Sequence, residues 1–153
     1  MSYTGTNAQA GNLAAFNINT GTIGSPTWTI ISEITEFSQS GKANKTATAT
    51  NLQSTAEEFI NVIGSAGNFA MTFNRVSSDV GQAALVSAFN SKALTMFQIQ
   101  LPKAGTQTTT GDKYAFSALV EQMDDLTSVS ADKQIQSKAT LKVSGSITFT
   151  VGS

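Results

Sequence analysis

Residues 134–151 read QIQSKATLKVSGSITFTV, and their pattern decides the fold class. Ile135, Ala139, Leu141, Val143, Ile147, Phe149 and Val151 take the odd positions, interrupted only by Ser137 and Gly145. The even positions hold Gln134, Gln136, Lys138, Thr140, Lys142, Ser144, Ser146, Thr148 and Thr150. Two-residue alternation turns one row of side chains to a core and the other to water, which is a half-buried β-strand. The stretch is about three times the usual strand length of five or six residues. In a chain of 153 residues such a strand curls around a barrel or reaches beyond its own domain, and Gly145 is where it is expected to bend.

Working outward, four more segments predict strands. Tyr114–Met123 alternates Tyr114, Phe116, Ala118 and Val120 with smaller or polar residues, and Leu94–Leu101 alternates Phe97, Ile99 and Leu101 with Gln98 and Gln100. Phe69–Val76 puts Phe69, Met71 and Phe73 on one face, and Trp28–Phe37 is rich in β-branched and aromatic residues. Leu13–Ile18 is a weaker sixth. Ser78–Asn90 predicts a helix: Asp79 is an N-cap with Gln82 three residues on, and Val80, Ala84, Leu85, Ala88 and Phe89 recur at helical spacing. Leu85 and Phe89, one turn apart, are its expected core anchors. Ser54–Ile63 opens on a capping box, Ser54-Thr55-Ala56-Glu57, and reads either as a short helix with Glu57 and Glu58 at its positive end or as the start of a strand. Residues 38–51, SQSGKANKTATATN, contain no large apolar side chain and so predict a long polar loop. Residues 1–11 are small, polar and uncharged and read as an arm that is flexible or ordered by a partner. No linker divides the rest, so 1–153 is expected to be one domain.

Leu, Ile, Val and Phe number 35 of 153, above the ~20% below which disorder is the default, so the chain folds. Charged residues are only 12%, about half the ~25% usual for soluble domains, and 21 Thr and 18 Ser take their place. Neither Cys nor His occurs. Thiolate nucleophiles, disulfides, zinc fingers and every His-based triad are thereby removed. The net charge is −1 and Arg75 is the one arginine, too little clustered positive charge to hold a duplex by its phosphates. No basic residue precedes Lys42 and the longest apolar run is the four residues Leu13–Phe16, so neither a secretory signal nor a membrane span is expected.

The remaining motifs carry no chemistry. Ser40-Gly41-Lys42 resembles the end of a phosphate-binding loop, but Glu36 stands where that motif needs Gly, and Ala43 where it needs Ser or Thr. Asp124-Asp125 with Asp132 lacks calcium-loop spacing and reads as a solvated turn between strands. Glu57 and Glu58 are adjacent and would point apart on a helix. Asn44-Lys45-Thr46 is a sequon without an export signal. Trp28 and Tyr114 would stack on a sugar only if they shared an exposed face; otherwise they are core or interface anchors. No cofactor, metal site or catalytic residue is expected.

Three stretches in order carry a family resemblance. They are Thr50-Asn51-Leu52-x-Ser54-Thr55-Ala56-x-Glu58-Phe59-Ile60 followed by Ala66-Gly67-x-Phe69, then Asp79-x-Gly81-Gln82-x-Ala84-Leu85 closing on Phe89-Asn90, then the long C-terminal strand. Together, from about residue 28 to the end, the chain resembles the tail tube protein (major tail protein) of long-tailed bacteriophages. The resemblance implies a mainly β fold, a sandwich or barrel with one flanking helix, related to the tube of the type VI secretion system. It implies the bare tube domain, a non-enzymatic virion protein made in the host cytoplasm. Six copies would form a ring, rings would stack into a tube, and DNA would pass through without specific binding. Tape measure, terminator and tip proteins would be the other partners, and no membrane. A tube of a contractile injection or secretion system is the near alternative, and a β-sandwich carbohydrate-binding or adhesin module the distant one. On this reading the polar loop, with Lys42, Lys45 and Thr46, would touch the next ring. The face bearing Gln134, Gln136, Thr140 and Ser144, with Gln98 and Gln100, would line the bore. Lys138 and Lys142 share that parity and count against its simplest form.

Overall fold

The computed structural model describes residues 14–53 and 55–153. Ser54 and the expected arm at 1–11 lie outside them. The chain forms strands β1 (Ala15–Asn19), β2 (Trp28–Ile30), β3 (Ile34–Ser40), β4 (Ala43–Thr48), β5 (Phe59–Ser65) and β6 (Asn68–Asn74). Helix α1 (Val80–Ser91) follows, then β7 (Thr95–Gln100), β8 (Lys113–Ser130) and β9 (Lys133–Thr150). Seven strands make one antiparallel sheet in the order β2-β1-β7-β8-β9-β6-β3, while β4 and β5 form a separate two-stranded ribbon. The mainly β architecture with one flanking helix is the class the alternation predicted.

The sheet is rolled, as chain connectivity requires. Its two edge strands, β2 and β3, are joined by only three residues, Ile31 to Glu33. Those residues reach about 15 Å at most, whereas six inter-strand spacings in a flat sheet cover about 29 Å. Glu33 turns the chain between the edges with a left-handed φ of 63°. The single strand expected over Trp28–Phe37 is therefore two strands on opposite edges. The roll closes around aromatic rings. Phe16 on β1 meets Phe97 on β7 and Phe116 on β8, and across the roll it reaches Phe37 on β3 at 5.4 Å and Phe69 on β6 at 6.2 Å. Alternate residues of every main strand complete this core, among them Ile18, Met71, Phe73, Ile99, Ala118, Ala139 and Leu141.

The two 18-residue strands β8 and β9 form the spine. β8 runs on past Met123 through Asp124 and Asp125, so the turn expected there is strand. The reversal falls at Ala131 and Asp132, where the Ser130 hydroxyl donates to the Asp132 carboxylate. Two bulges hid this: between the Val120–Leu141 and Gln122–Thr140 pairs β8 takes two steps against one on β9, which moves its core-facing residues from even to odd positions, and between Asp124–Lys138 and Ser128–Gln136 it takes four against two. Ser137, buried opposite the second bulge, donates to the Asp125 carbonyl at 2.7 Å. A further irregularity sits at Gly145, where φ is +85° and β9 makes its expected bend.

Helix α1 packs chiefly on β8 and on the ends of β1 and β2. Asp79 caps it, its carboxylate accepting from the Gln82 N–H at 2.9 Å and the Ser32 N–H at 3.3 Å. Burial opposes this charge, but hydrogen bonds from Gln82, Ser32 and Gly81 outweigh it and hold the carboxyl below its ordinary value. The buried Gln82 side chain does not return to the cap as in a capping box. Its amide donates to the carbonyls of Ser32 and Asn74 and accepts from the Val76 N–H, each at 2.9 Å, tying the helix to the β2–β3 connection and to the end of β6. A Cβ at Gly81 would stand 2.1 Å from the Ile30 carbonyl oxygen, so only glycine allows this approach. The Lys92 N–H closes the helix on the Ala88 carbonyl, with Lys92 left-handed at φ 57°.

Candidate assembly surfaces

The polar loop expected over 38–51 is instead the end of β3, a kink and strand β4. The segment at Ser54–Ile63 contributes strand β5 in place of a helix, leaving Glu57 and Glu58 beside the hairpin turn without a helix dipole. Strand β3 runs into β4, and β5 into β6, so these four are one long ribbon bent in the middle. The bend lies at two facing glycines with left-handed backbones, Gly41 (φ 77°) and Gly67 (φ 87°). A Cβ on Gly67 would meet the Ser40 carbonyl oxygen at 2.2 Å, so the strands pass too closely for any other residue. Beyond the bend the β4–β5 hairpin leaves the sheet, and the extensive contacts of each of its strands are with the other. Every residue of β5 is exposed, including Phe59, Ile60, Val62 and Ile63. Lys42, Lys45 and Thr46 are exposed at and beyond the root.

Exposed apolar side chains gather at both ends of the spine. One end carries the hairpin, with Phe149 and Val151 nearby at the end of β9; the other carries Leu126, Val129 and Ile135 at the β8–β9 tip. Register fixes these as opposite poles. Asn68, at the hairpin's root, pairs with Lys142, whereas Asn74 pairs with Gln136 towards the tip. Acidic residues favour the tip. Positions 124–133 hold Asp124, Asp125 and Asp132 against Lys133, a net of −2 (three carboxylates, one ammonium), while the hairpin root and β4 carry Lys42 and Lys45. Among the described residues no group of three or more acidic side chains is arranged to hold a metal ion.

The six residues expected on one polar face are placed there where pairing fixes them. Gln98 lies opposite Asn17 and Ala115, Gln100 opposite Ala15 and Lys113, Thr140 opposite Ala70, and Ser144 opposite Ser117. These partners alternate with the core residues, so all lie on the outer surface of the roll. Gln136 pairs with Asn74 and Ser128; Gln134 has the same parity near the tip. Lys138 and Lys142 belong to this face as well. Lys138 lies directly opposite Asp124 on β8, and Glu36 is two strands away on the other side in the same row, beyond Thr72. Sequence alone could not pair Lys138 with Asp124, because the bulges of β8 set that register.

Of the two helix anchors, Leu85 has no exposed surface, while Phe89 is 36% exposed. Phe89 lies at the C-terminal end of α1, where it lines an open groove with Leu119, Val120 and Lys142 and does not reach the core. Ala88 and Gln82 fill the inner face with Leu85. Trp28 and Tyr114 share no platform: Trp28 is half-buried on edge strand β2, and Tyr114 packs against Phe149 at 5.0 Å.

A rolled sheet with a projecting hairpin and a long two-stranded spine is the architecture of tube subunits. The tail of an empty gene transfer agent particle, refined with C6 symmetry, superposes with a TM-score of 0.70 at 18% identity, covering 94% of this chain and all of that one. The SPP1 tail tube gives 0.72 at 11% identity, covering 95% of this chain and 80% of that one. A chain of the sheath–tube complex of an extracellular contractile injection system gives 0.67 at 10% identity, covering 94% and 92%. No curated protein matches. The phage tail tube protein family (TTP) matches residues 8–152, and the chain belongs to it. It is a structural protein of the virion tail and not an enzyme. Among the described residues no helix is long and apolar enough to cross a membrane.

Proposed function

We propose that six copies of this chain close into a ring and that rings stack head to tail into a hollow tube, the conduit for DNA ejection. The observation that carries this reading is the exposed apolar surface at opposite poles of one molecule. A contact between unlike poles cannot close on itself as a two-fold dimer; it repeats, as stacked rings or a filament do. The hairpin, with Lys42, Lys45 and Thr46, makes the inter-ring contact. Its lysines face the aspartate-rich tip of the neighbour, where complementary charge sets register and orientation. The outer face of the roll, with Gln98, Gln100, Gln134, Gln136, Thr140 and Ser144, lines the bore. The amide and hydroxyl side chains there carry no positive charge and form no ion pairs with phosphates, so DNA moves through without being held. A tape measure protein occupies the lumen during assembly, and terminator and tip proteins close the two ends.

Electron microscopy of the concentrated, purified protein tests the reading: tubes or six-fold rings are expected. Dispersed single subunits at every concentration and ionic strength would refute it. Deleting Gly41–Thr46 removes the kink and most of β4 but leaves the β3–β6 ladder, and should give a folded subunit that does not polymerise.

A further inference from the structure

The hairpin has an unusual distribution of apolar side chains. Register places Phe59 and Asn61 on one face with Thr46 and Thr48, and Ile60 and Val62 on the other with Lys45 and Ala47; strand alternation adds Ile63 to the first face, next to the bulge between the Lys45–Val62 and Ala43–Ser65 pairs. Phe59 and Ile63 are 58% and 89% exposed; Ile60 and Val62 are 55% and 44% exposed. A hairpin that lies on one surface shows apolar residues on that side and polar residues on the other. Strand β5 presents two large apolar side chains on each. An isolated two-stranded hairpin is also marginal in water, and its own sheet gives this one almost no support.

We infer that the β4–β5 hairpin is a wedge, inserted between two laterally adjacent copies of this chain in the neighbouring ring and buried on both faces. The inference rests on the ring-stacking reading and specifies its stoichiometry: each hairpin touches two copies. A second copy is the occupant because the opposite pole of the same molecule supplies what the hairpin lacks. Leu126, Val129 and Ile135 are exposed there, and the net −2 of positions 124–133 complements Lys42 and Lys45 at the root half of the ribbon, Glu57 and Glu58 lying at its far turn. One copy offers one such tip, and therefore one wall. Two apolar faces need two walls, which neighbours within a ring provide. The kink at Gly41 and Gly67 fits this use, since it carries the hairpin away from its own sheet and leaves both faces open.

The chain has no cysteine, so any introduced thiol is unique. Phe59→Cys probes one face and Ile60→Cys the other. Each variant is co-assembled with an excess of wild-type subunits, and its rate of maleimide alkylation is compared in free subunits and in purified tubes. Burial on both faces predicts that both rates fall at least tenfold on assembly. A fall at one position with an unchanged rate at the other would mean that the hairpin lies flat on a single copy, and would overturn the inference. So would unchanged rates at both. If either variant is excluded from tubes, Thr46→Cys and Lys45→Cys on the paired strand read the same two faces. Failure of the ring-stacking reading is separately visible: wild-type protein would form no tubes, and the inference would fall with it.

Discussion

Replacing Phe16 with alanine should be among the most damaging single changes in the subunit. Phe16 is 1% exposed and makes edge-to-face contacts with four other phenylalanines at 5.4 to 6.2 Å. Three of these, Phe37, Phe69 and Phe116, stand on strands with no hydrogen bond to β1, and Phe37 and Phe69 lie across the roll, so the ring holds the roll together where no ladder does. Truncating a buried Phe costs about 3–5 kcal/mol, and each aromatic pair adds about 0.5–1.5 kcal/mol beyond area burial. Those pair terms overlap when one ring serves all four, so the loss belongs at the upper end, about 4–5 kcal/mol. For a domain of this size that corresponds to about 8–20 °C in Tm. Urea unfolding of the free subunit, followed by far-ultraviolet circular dichroism, measures it. Phe149→Ala is the control, because Phe149 is 48% exposed and should lose under about 2 kcal/mol. Phe16→Leu keeps most of the volume and should cost about 1–2 kcal/mol, which keeps the test open if the alanine variant does not fold. An alanine loss below about 2 kcal/mol, or no larger than at Phe149, would show that the aromatic cluster does not close the roll.

Leu85→Ala should cost about 2–5 kcal/mol in the same assay and Phe89→Ala distinctly less, with Phe89 instead affecting assembly if its groove is covered in the tube. Gly67→Ala should destabilise the ribbon by at least about 1 kcal/mol more than Gly41→Ala; both place alanine at positive φ, but only Gly67 has backbone in the way, and thermal melts of the two variants decide it. Asp79→Ala removes the cap and should cost about 0.5–2 kcal/mol near neutral pH. Because the folded carboxyl titrates below its ordinary 3.8, its charge stabilises fully above that value. The wild-type advantage should shrink as pH falls through the folded value, so the gap between the unfolding free energies of the two proteins should be smaller near pH 3 than at pH 7. Thr140→Lys should leave subunit stability nearly unchanged but slow DNA ejection from assembled particles; normal ejection would remove this face from the bore.

Legibility in the sequence followed how each element is stabilised. Strands buried on one face announced themselves by alternation, as did β9, β6, β7 and the first half of β8. The second half of β8 did not, because its bulges break the parity and Asp124-Asp125 then resembles a turn. The break inside Trp28–Phe37 left no mark, since both halves are strand-like and only the rolled sheet requires Glu33 to reverse the chain. Strand β1 had the weakest signal, yet Phe16 is the aromatic hub, a role set by strands distant in sequence. The hairpin is only half legible, Ser54–Ile63 reading as helix or strand alike, for a related reason. With apolar residues on both faces, β5 shows no period of two, and β4 has almost no large side chain at all. Of the surfaces, the polar face was readable by parity, whereas the two poles needed the register of β6 on β9.

The same register bears on the two lysines that weakened the lumen reading. A charge on a ring wall is repeated in every copy and every ring, so one unbalanced lysine per subunit would give the bore a strong field. Lys138 does not stand unbalanced: Asp124 is its cross-strand partner on β8, and Glu36 lies further along the same row on β3. Opposite charges at directly paired positions compensate locally at the wall. Lys142 has Leu119 and Asn68 as its partners and no acidic residue opposite. Lys142 ends the β6–β9 pairing but lies midway along β9, and Glu121 of β8 lines the same open groove. Lys113, opposite Gln100 and Thr150, is a third lysine of this face and has no acidic residue directly opposite either. Cross-strand pairing within the subunit therefore balances Lys138 alone, and a neutral bore requires that carboxylates beyond the directly paired positions balance the other two.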